Sequence, residues 1–291
     1  MQERLPSVKI ALMKTLILIL VILITLLFLT WFLLAPSRTT MELRKRFCGC
    51  KFAHRGLHSK DKTVPENSLF AFRLAVEAGY GIELDIRFTK DRQIVVFHDD
   101  TLLRMCGVNR PVDSFTYDEL KELRLLDTEE RIPLFSEVLS VVDGRIPLLV
   151  ELKSGPNNTL LCEAAYAMLQ NYHGTYCIES FHPMIVRWFK KHAPQVLRGQ
   201  LSAPQQSFAG TLSPFTAFLL SYLFTNFLAR PNFIAYHKGK APFSVWLCQK
   251  LGALRAVWTL RDTDFTDSSR LPDSAELFGR NDMIIFEFFH P

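Results

Sequence analysis

Two short patterns in the chain place charged side chains two positions apart: Glu83-x-Asp85 and Glu151-x-Lys153. In a strand, residues two apart face the same side. Ile82, Leu84 and Ile86 then face the other way and can pack beneath helices. Two carboxylates close together in a low-dielectric setting repel and resist ionising together. A hard divalent cation resolves that conflict, and oxygen ligands suit magnesium or calcium. Glu151 can supply a third ligand, and Lys153 a positive charge for a phosphate oxygen. Two histidines flank these acids in the chain, in His54-Arg55-Gly56 and His98-Asp99. Histidine titrates near neutrality, so such a pair can act as general base and general acid in one displacement. Arg55 can contact phosphate through two N–H groups, and Gly56 lets the backbone come close. The remaining histidines, His58, His173, His182 and His192 among them, lack such company and read as surface or structural residues.

The elements that must position these residues form an alternating series. Strand-like runs fall at 52–54, 82–88, 148–152, 176–181, 196–201, 233–237, 256–260 and 283–288. Helical stretches lie between most of them, at 68–78, 160–171 and 182–192. The first of these has Asn67 as its expected N-cap and Gly79 as its stop. Alternation of this kind predicts a parallel sheet with crossover helices, and residues 47–291 approach the length of a (β/α)8 TIM barrel, about 250 residues. The candidate residues then lie toward strand C-terminal ends, where barrel active sites are built. Residues 89–146 interrupt the rhythm after the second strand and are expected to form a small insertion. It would hold a β segment at 93–98, a turn at Asp91-Arg92, and helices at 117–126 and 135–142.

Of the 291 residues, 48% are hydrophobic, and the excess sits near the N-terminus. No charged residue lies between Lys14 and Arg38. A helix of about 20 apolar residues spans a bilayer core of about 30 Å, and Trp31 sits where an amphipathic ring prefers the headgroup boundary. The expected organisation is an N-terminal segment at 1–14, a transmembrane anchor at 15–36, a linker at 37–46 and the barrel at 47–291. A cleaved signal peptide is the alternative, but its apolar region would be shorter. Three basic residues precede the span and five follow it before residue 52. That count leans toward a cytoplasmic catalytic domain, and Arg44-Lys45-Arg46 could meet anionic headgroups. A second apolar run, at 214–229, suits a buried or interfacial helix better than a span. The net charge of +5 and the lack of a basic stretch interleaved with aromatics do not point to nucleic acid as a partner. Six scattered cysteines lack zinc-site spacing, and most of them read as small buried hydrophobes.

His54-Arg55-Gly56, Pro65-Glu66-Asn67-Ser68, Ile82-Glu83-Leu84-Asp85, Val96-Phe97-His98-Asp99, Glu151-Leu152-Lys153, Ser180-Phe181 and Trp258-Thr259 occur in the order of the glycerophosphodiester phosphodiesterases, which the chain after the linker resembles. The resemblance implies a (β/α)8 barrel with one divalent cation, Mg2+ or Ca2+, held by Glu83, Asp85 and Glu151. It implies that His54 and His98 are the acid–base pair, that Arg55 and Lys153 contact phosphate, and that Trp258 lines the glycerol side of the pocket. The expected reaction is hydrolysis of a glycerophosphodiester to glycerol 3-phosphate and an alcohol. With an anchor binding membrane lipid, a lysophospholipid is an alternative substrate, cleaved as by a lysophospholipase D or a phospholipase C. A catalytically silent membrane protein that binds phosphodiesters is the reading from another class. Two positions depart from the pattern. The last strand ends in Glu287 with its proline displaced, so no role is assigned to Glu287. Leu260-Arg261 stands where Val-Asn is common, which could alter the charge of the pocket.

Overall fold

A computed structural model describes residues 4–265, 278–279 and 281–291. Residues 1–3 of the expected N-terminal segment, and 266–277 and 280 of the expected barrel, lie outside them. Nine strands are present among the described residues: β1 (Cys50–Ala53), β2 (Gly81–Phe88), β3 (Ile94–Val96), β4 (Leu148–Leu152), β5 (Tyr176–Ser180), β6 (Leu197–Ser202), β7 (Phe233–His237), β8 (Leu254–Leu260) and β9 (Met283–Phe286). All except β3 pair in parallel, and β1 pairs with both β9 and β2, so eight strands close into a barrel. The third strand, β3, folds back antiparallel on the far half of β2. The expected eight-stranded barrel is therefore present, and each anticipated run overlaps a strand.

Alternation along the strands sorts the core into two shells. Ile82, Leu84 and Ile86 face outward and pack with Phe72 and Ala75 of the helix Leu69–Glu77 and with Phe135, Val138 and Val142 of the helix Phe135–Val142. Inside the barrel, Phe52, Leu149, Cys177, Phe233, Leu254 and Met283 fill the lower half. Further along the same strands the inward side chains become His54, Glu83, Asp85, Glu151, Glu179 and Trp258. The barrel thus has an apolar floor and a charged upper half. Gly199 leaves room for one floor side chain, because a Cβ there would lie 2.0 Å from the Phe233 ring.

Several expectations change in detail. Ser68, not Asn67, caps the helix Leu69–Glu77, with its Oγ accepting from the Ala71 N–H at 3.1 Å. Asn67 has a positive φ and its amide is used elsewhere. Within the insertion, the expected helix at 117–126 is confined to Tyr117–Leu120. A separate small core of Val95, Phe97, Leu102, Met105, Val112, Leu120 and Ile132 stabilises that insertion. Phe135–Val142 is a barrel crossover helix, since it packs on β2 and on the helix Leu69–Glu77, so the insertion proper ends before it. The apolar run at 214–229 forms two helices, Pro214–Ser221 and Asn226–Ala229. Between them Leu223 turns to a positive φ and becomes fully buried. Gly56 makes a close approach to Ala71 and Phe72 of the neighbouring helix.

The N-terminal helix Arg4–Leu34 contains a stretch, Lys9–Leu34, long and apolar enough to cross a membrane. At 1.5 Å per residue it is about 39 Å long. Its Thr15, Thr25 and Thr30 hydroxyls donate to carbonyls four residues earlier, so none needs water. The last turn is docked on the barrel. Leu34 is buried with Leu223, Ile234, Tyr236, Val245 and Cys248, and Leu33 packs beside it. The expected linker is also docked. Arg230 donates to the Ala35 carbonyl (2.7 Å), the Ser37 N–H donates to the Pro231 carbonyl (2.9 Å), and Arg198 donates to Ser37 Oγ (2.7 Å). A short helix, Met41–Phe47, then places Leu43 and Phe47 against the barrel floor, while the Arg44 guanidinium bonds the Gly252 carbonyl. Overpacking a filled core costs about 1–3 kcal/mol. Gly199→Ala should therefore destabilise the detergent-solubilised chain by about that amount in urea unfolding, whereas Gly155→Ala, with no atom near its Cβ position, should not.

Candidate active site

The upper interior is crowded with buried acids. Glu83, Asp85, Glu151 and Glu179 all point inward and are nearly inaccessible. One oxygen from each of Glu83, Asp85 and Glu151 falls within 4.8 Å of the others. The register explains this, because Asp85 pairs directly with Glu151, and Glu151 with Glu179. Burial, then repulsion from Asp85 and Glu151, drives the Glu83 pKa well up. Burial, then Glu83 and Glu151, does the same for Glu179. Asp85 goes the other way. Burial would raise it, but Lys153, His98, Arg55 and the Asn67 amide hold it well below the usual carboxylate range.

Two cations are committed to this cluster. Lys153 Nζ lies 2.9 Å from Glu151 Oε1 and 3.4 Å from Asp85 Oδ1. Arg55 takes a left-handed backbone turn that aims its N–H at Glu83 Oε2 (3.0 Å), while its guanidinium meets Glu66 (2.7 Å) and Asp85 (3.6 Å). Asn67 donates to Asp85 Oδ2 at 2.9 Å. Asp85 Oδ1 accepts no hydrogen bond although it is buried. Three convergent carboxylates, one with an unsatisfied buried oxygen, are a donor set that fits a hard divalent cation.

The two histidines stand on either side of the cluster, each with Nδ1 turned toward a carboxylate. His98 Nδ1 lies 2.7 Å from Asp99 Oδ1. Arg104 clamps that carboxylate at 2.7 and 3.0 Å and also binds both oxygens of Glu66, which in turn holds Arg55. Against its burial, Arg104 and Arg55 hold Glu66 down at about 2. On the other side, His54 Nδ1 faces Glu287 Oε1 at 3.7 Å, and His58 Nε2 reaches the same oxygen at 3.2 Å. Arg261 donates to Glu287 Oε2 through Nε (2.8 Å) and a terminal nitrogen (2.7 Å). His54 Nε2 lies 4.0 Å from Glu83. Burial, and next the Arg55 charge, presses the His54 pKa down to about 4.

A cavity of ≈370 Å³ opens on the His98 side of the cluster, lined by His98, Asp99, Glu151, Lys153, Ser180 and Phe181 among others. Trp258 packs against Phe181, one of those lining residues. The indole N–H is spent on the Ala235 carbonyl (3.1 Å), and its ring meets Phe181 edge-on at 5.7 Å. All eight residues singled out from the sequence therefore lie at the upper end of the barrel.

Residues 54–273 match the Glycerophosphoryl diester phosphodiesterase family. The chain belongs to that family. A glycerophosphodiester phosphodiesterase from Caldanaerobacter subterraneus subsp. tengcongensis is 36% identical over 163 residues, covering 51% of this chain and 65% of the relative. A human lysophospholipase D is 33% identical over 159 residues, covering 50% of this chain and 49% of the relative. The chain thus spans about two thirds and about half of the lengths of these two relatives. Among solved structures, an Oleispira antarctica phosphodiesterase bound to the product sn-glycerol-3-phosphate shares the fold. Its TM-score is 0.66 at 21% identity, covering 85% of this chain and 96% of the other.

Set against the family pattern, the two departures acquire a place. Arg261 is bound to Glu287 and so does not add a free charge to the pocket. Glu287 is buried beside His54, and its carboxyl is held well below the usual range, against its burial, by His54, His58 and Arg261. His58 is not a surface residue, since its side chain is 7% exposed and packs edge-on against Phe288. His182, as expected of a structural residue, caps a helix by accepting from the Met184 N–H. Glu287, His58 and Glu179 carry no catalytic role in the sequence reading; Glu287 and Glu179 have no charged or histidine partner at strand spacing, and His58 lies outside any strand. Asp99 and Glu66 stood inside recognised motifs, but Arg104 reaches them from the insertion core.

Burial and the neighbouring acids raise the Glu83 pKa, so Glu83→Gln, which removes a candidate cation ligand, should cost the metal-free fold little. A ligand at 100-fold its Kd stabilises by about 2.7 kcal/mol. Saturating Mg2+ or Ca2+ should raise the unfolding temperature of the native chain. Calorimetry of Glu83→Gln should show a near-native temperature without cation and no rise with it.

Proposed function

We propose that the chain is a phosphoric diester hydrolase that converts glycerophosphodiesters to glycerol 3-phosphate and an alcohol. The observation that carries this reading is the pair of histidines astride three convergent carboxylates, each with Nδ1 toward an arginine-held carboxylate. That arrangement leaves both Nε2 atoms for proton transfer. His54 is the general base. Its low pKa keeps it neutral at physiological pH, and it accepts the proton of the attacking hydroxyl, from water or from the glycerol 2-hydroxyl of the substrate. His98 is the general acid, its ring fixed by Asp99 Oδ1 at 2.7 Å from Nδ1 so that Nε2 is turned to the leaving alcohol. As the new P–O bond forms, the bond to the leaving alcohol breaks and its oxygen takes the His98 proton. If the glycerol 2-hydroxyl attacks, the first product is a cyclic phosphate, which water then opens with the two roles reversed.

Glu83, Asp85 and Glu151 would hold one divalent cation, which when bound supplies Lewis-acid stabilisation of charge on the phosphoryl oxygens. Arg55 and Lys153 are tied to the acids in the resting site. They act on phosphate by exchanging part of those contacts for its oxygens, and Trp258 offers a ring face to the glycerol. General acid–base groups contribute about 10²–10⁴-fold in rate. His54→Ala and His98→Ala should each lower glycerophosphocholine turnover by at least that range, read as glycerol 3-phosphate release by the full-length chain. Native activity in either variant would remove that histidine from the mechanism.

We infer further that the N-terminal helix is a retained single-pass membrane anchor. Leu33 and Leu34 are part of the barrel's packing, and cleavage beyond them would expose Leu223 and Val245. A docked anchor supports a second reading of the substrate, a lysophospholipid drawn from the same bilayer, in keeping with the human relative. The two readings separate by rate. A lipid-directed site should show kcat/KM for micellar lysophosphatidylcholine at least tenfold above that for glycerophosphocholine, and a soluble-substrate site should show the reverse.

A further inference from the structure

Large apolar rings are exposed in one region of the barrel surface. Phe215, Phe218 and Tyr222 project from the helix Pro214–Ser221 and the residue after it. Phe243 and Trp246 project from the helix Phe243–Lys250, with their rings stacked at 5.0 Å. Phe215 and Phe243 are each 70% exposed. A soluble surface seldom leaves rings of this size grouped in water.

Both groups connect to the end of the N-terminal helix. Phe218 and Tyr222 contact Phe224, which packs in the cluster that buries Leu34. On the other helix, Val245, Leu247 and Cys248 pack in that same cluster, with Phe243 and Trp246 on the exposed side. Phe32 of the N-terminal helix meets Phe227 at 5.8 Å and lies beneath the Arg230 guanidinium at 5.2 Å. The lipid boundary of a helix docked by its final turn must fall close to these rings. Lys250 lies 5.8 Å from the Trp246 ring, placing a cation where anionic headgroups would be.

The patch also reaches the mouth of the barrel. The Ser202 hydroxyl, at the upper end of β6, donates to the Leu220 carbonyl at 2.9 Å and fixes the helix Pro214–Ser221 over that rim. Ala217 and Leu220 on its inner side pack with Phe208, which contacts Phe181 at the active-site cavity. One layer of apolar side chains therefore separates the exposed rings from the pocket.

We propose that Phe215, Phe218, Tyr222, Phe243 and Trp246 form a second membrane contact, seated in the interfacial layer of the bilayer that holds the N-terminal helix. Two attachments at different points stop the barrel from swinging about its anchor. They hold the rim above Phe181 and Trp258 against the headgroup layer. The proposal rests on reading the N-terminal helix as a span, and Trp31 within that helix reports on the reading separately.

The test uses the full-length chain in nanodiscs of phosphatidylcholine and phosphatidylglycerol containing a lipid with a nitroxide at acyl carbon 5. Tryptophan quenching is compared for the native chain, Trp31→Phe and Trp246→Phe, with aqueous iodide as the opposing quencher. The difference between native and Trp246→Phe isolates Trp246. It should lose at least half its intensity to the lipid nitroxide and be protected from iodide. Quenching of Trp31 by lipid, with Trp246 open to iodide and untouched by the nitroxide, would overturn the second contact and leave the anchor standing. Failure of both residues to be quenched by lipid would overturn both.

Discussion

The barrel gathers like charges where they are least welcome. Glu83, Asp85, Glu151 and Glu179 converge in a buried space above an apolar floor. Water cannot dissipate their repulsion there, so protonation, cations or both must do so. Lys153 and Arg55 neutralise part of it, and protonation of Glu83 and Glu179 relieves more. The three that converge within 4.8 Å remain a natural seat for a divalent cation. Much of the surrounding structure follows from this constraint. Arg55 adopts a left-handed turn to serve two of the acids, and Asn67 gives up helix capping to serve one of them.

Outward from the cluster, carboxylates and arginines alternate. Asp85, Arg55, Glu66, Arg104 and Asp99 form one connected series that ends at His98. Arg261 and Glu287 form a shorter one that ends at His54. Single exposed ion pairs contribute little, about 0–1 kcal/mol. These series matter more for direction, because a histidine backed at Nδ1 presents Nε2 to the pocket. The first series explains the insertion. It supplies β3, which leads into His98, together with Arg104, and it has an apolar core of its own to keep them in place.

A second level of positioning concerns the whole domain. The segment joining the N-terminal helix to the barrel is bonded along its length, from Ala35 to Arg44, so the barrel is not on a free tether. Its basic residues are partly used inside the fold, Arg44 among them, which reduces what they offer to headgroups. Rigid connection of this kind makes the orientation of the mouth a property of the fold.

The barrel, its eight strands and the three convergent acids were legible along the chain. These features have strand spacing or a chain-order pattern, and a period of two leaves little choice about which side faces inward. Glu83 and Asp85 were legible for that reason, as were Ile82, Leu84 and Ile86 on the opposite face. The apolar length of the N-terminal helix was equally plain. Folding alone sets Glu287 and Arg261 behind His54, brings Arg104 to Asp99 and Glu66, and packs Gly56 against Ala71 and Phe72. These contacts join residues far apart in the chain, or side chains whose direction depends on a turn, and no local spacing encodes them. Tertiary packing likewise split the 214–229 run, because burying Leu223 beside Leu34 required a left-handed turn that apolar composition does not announce.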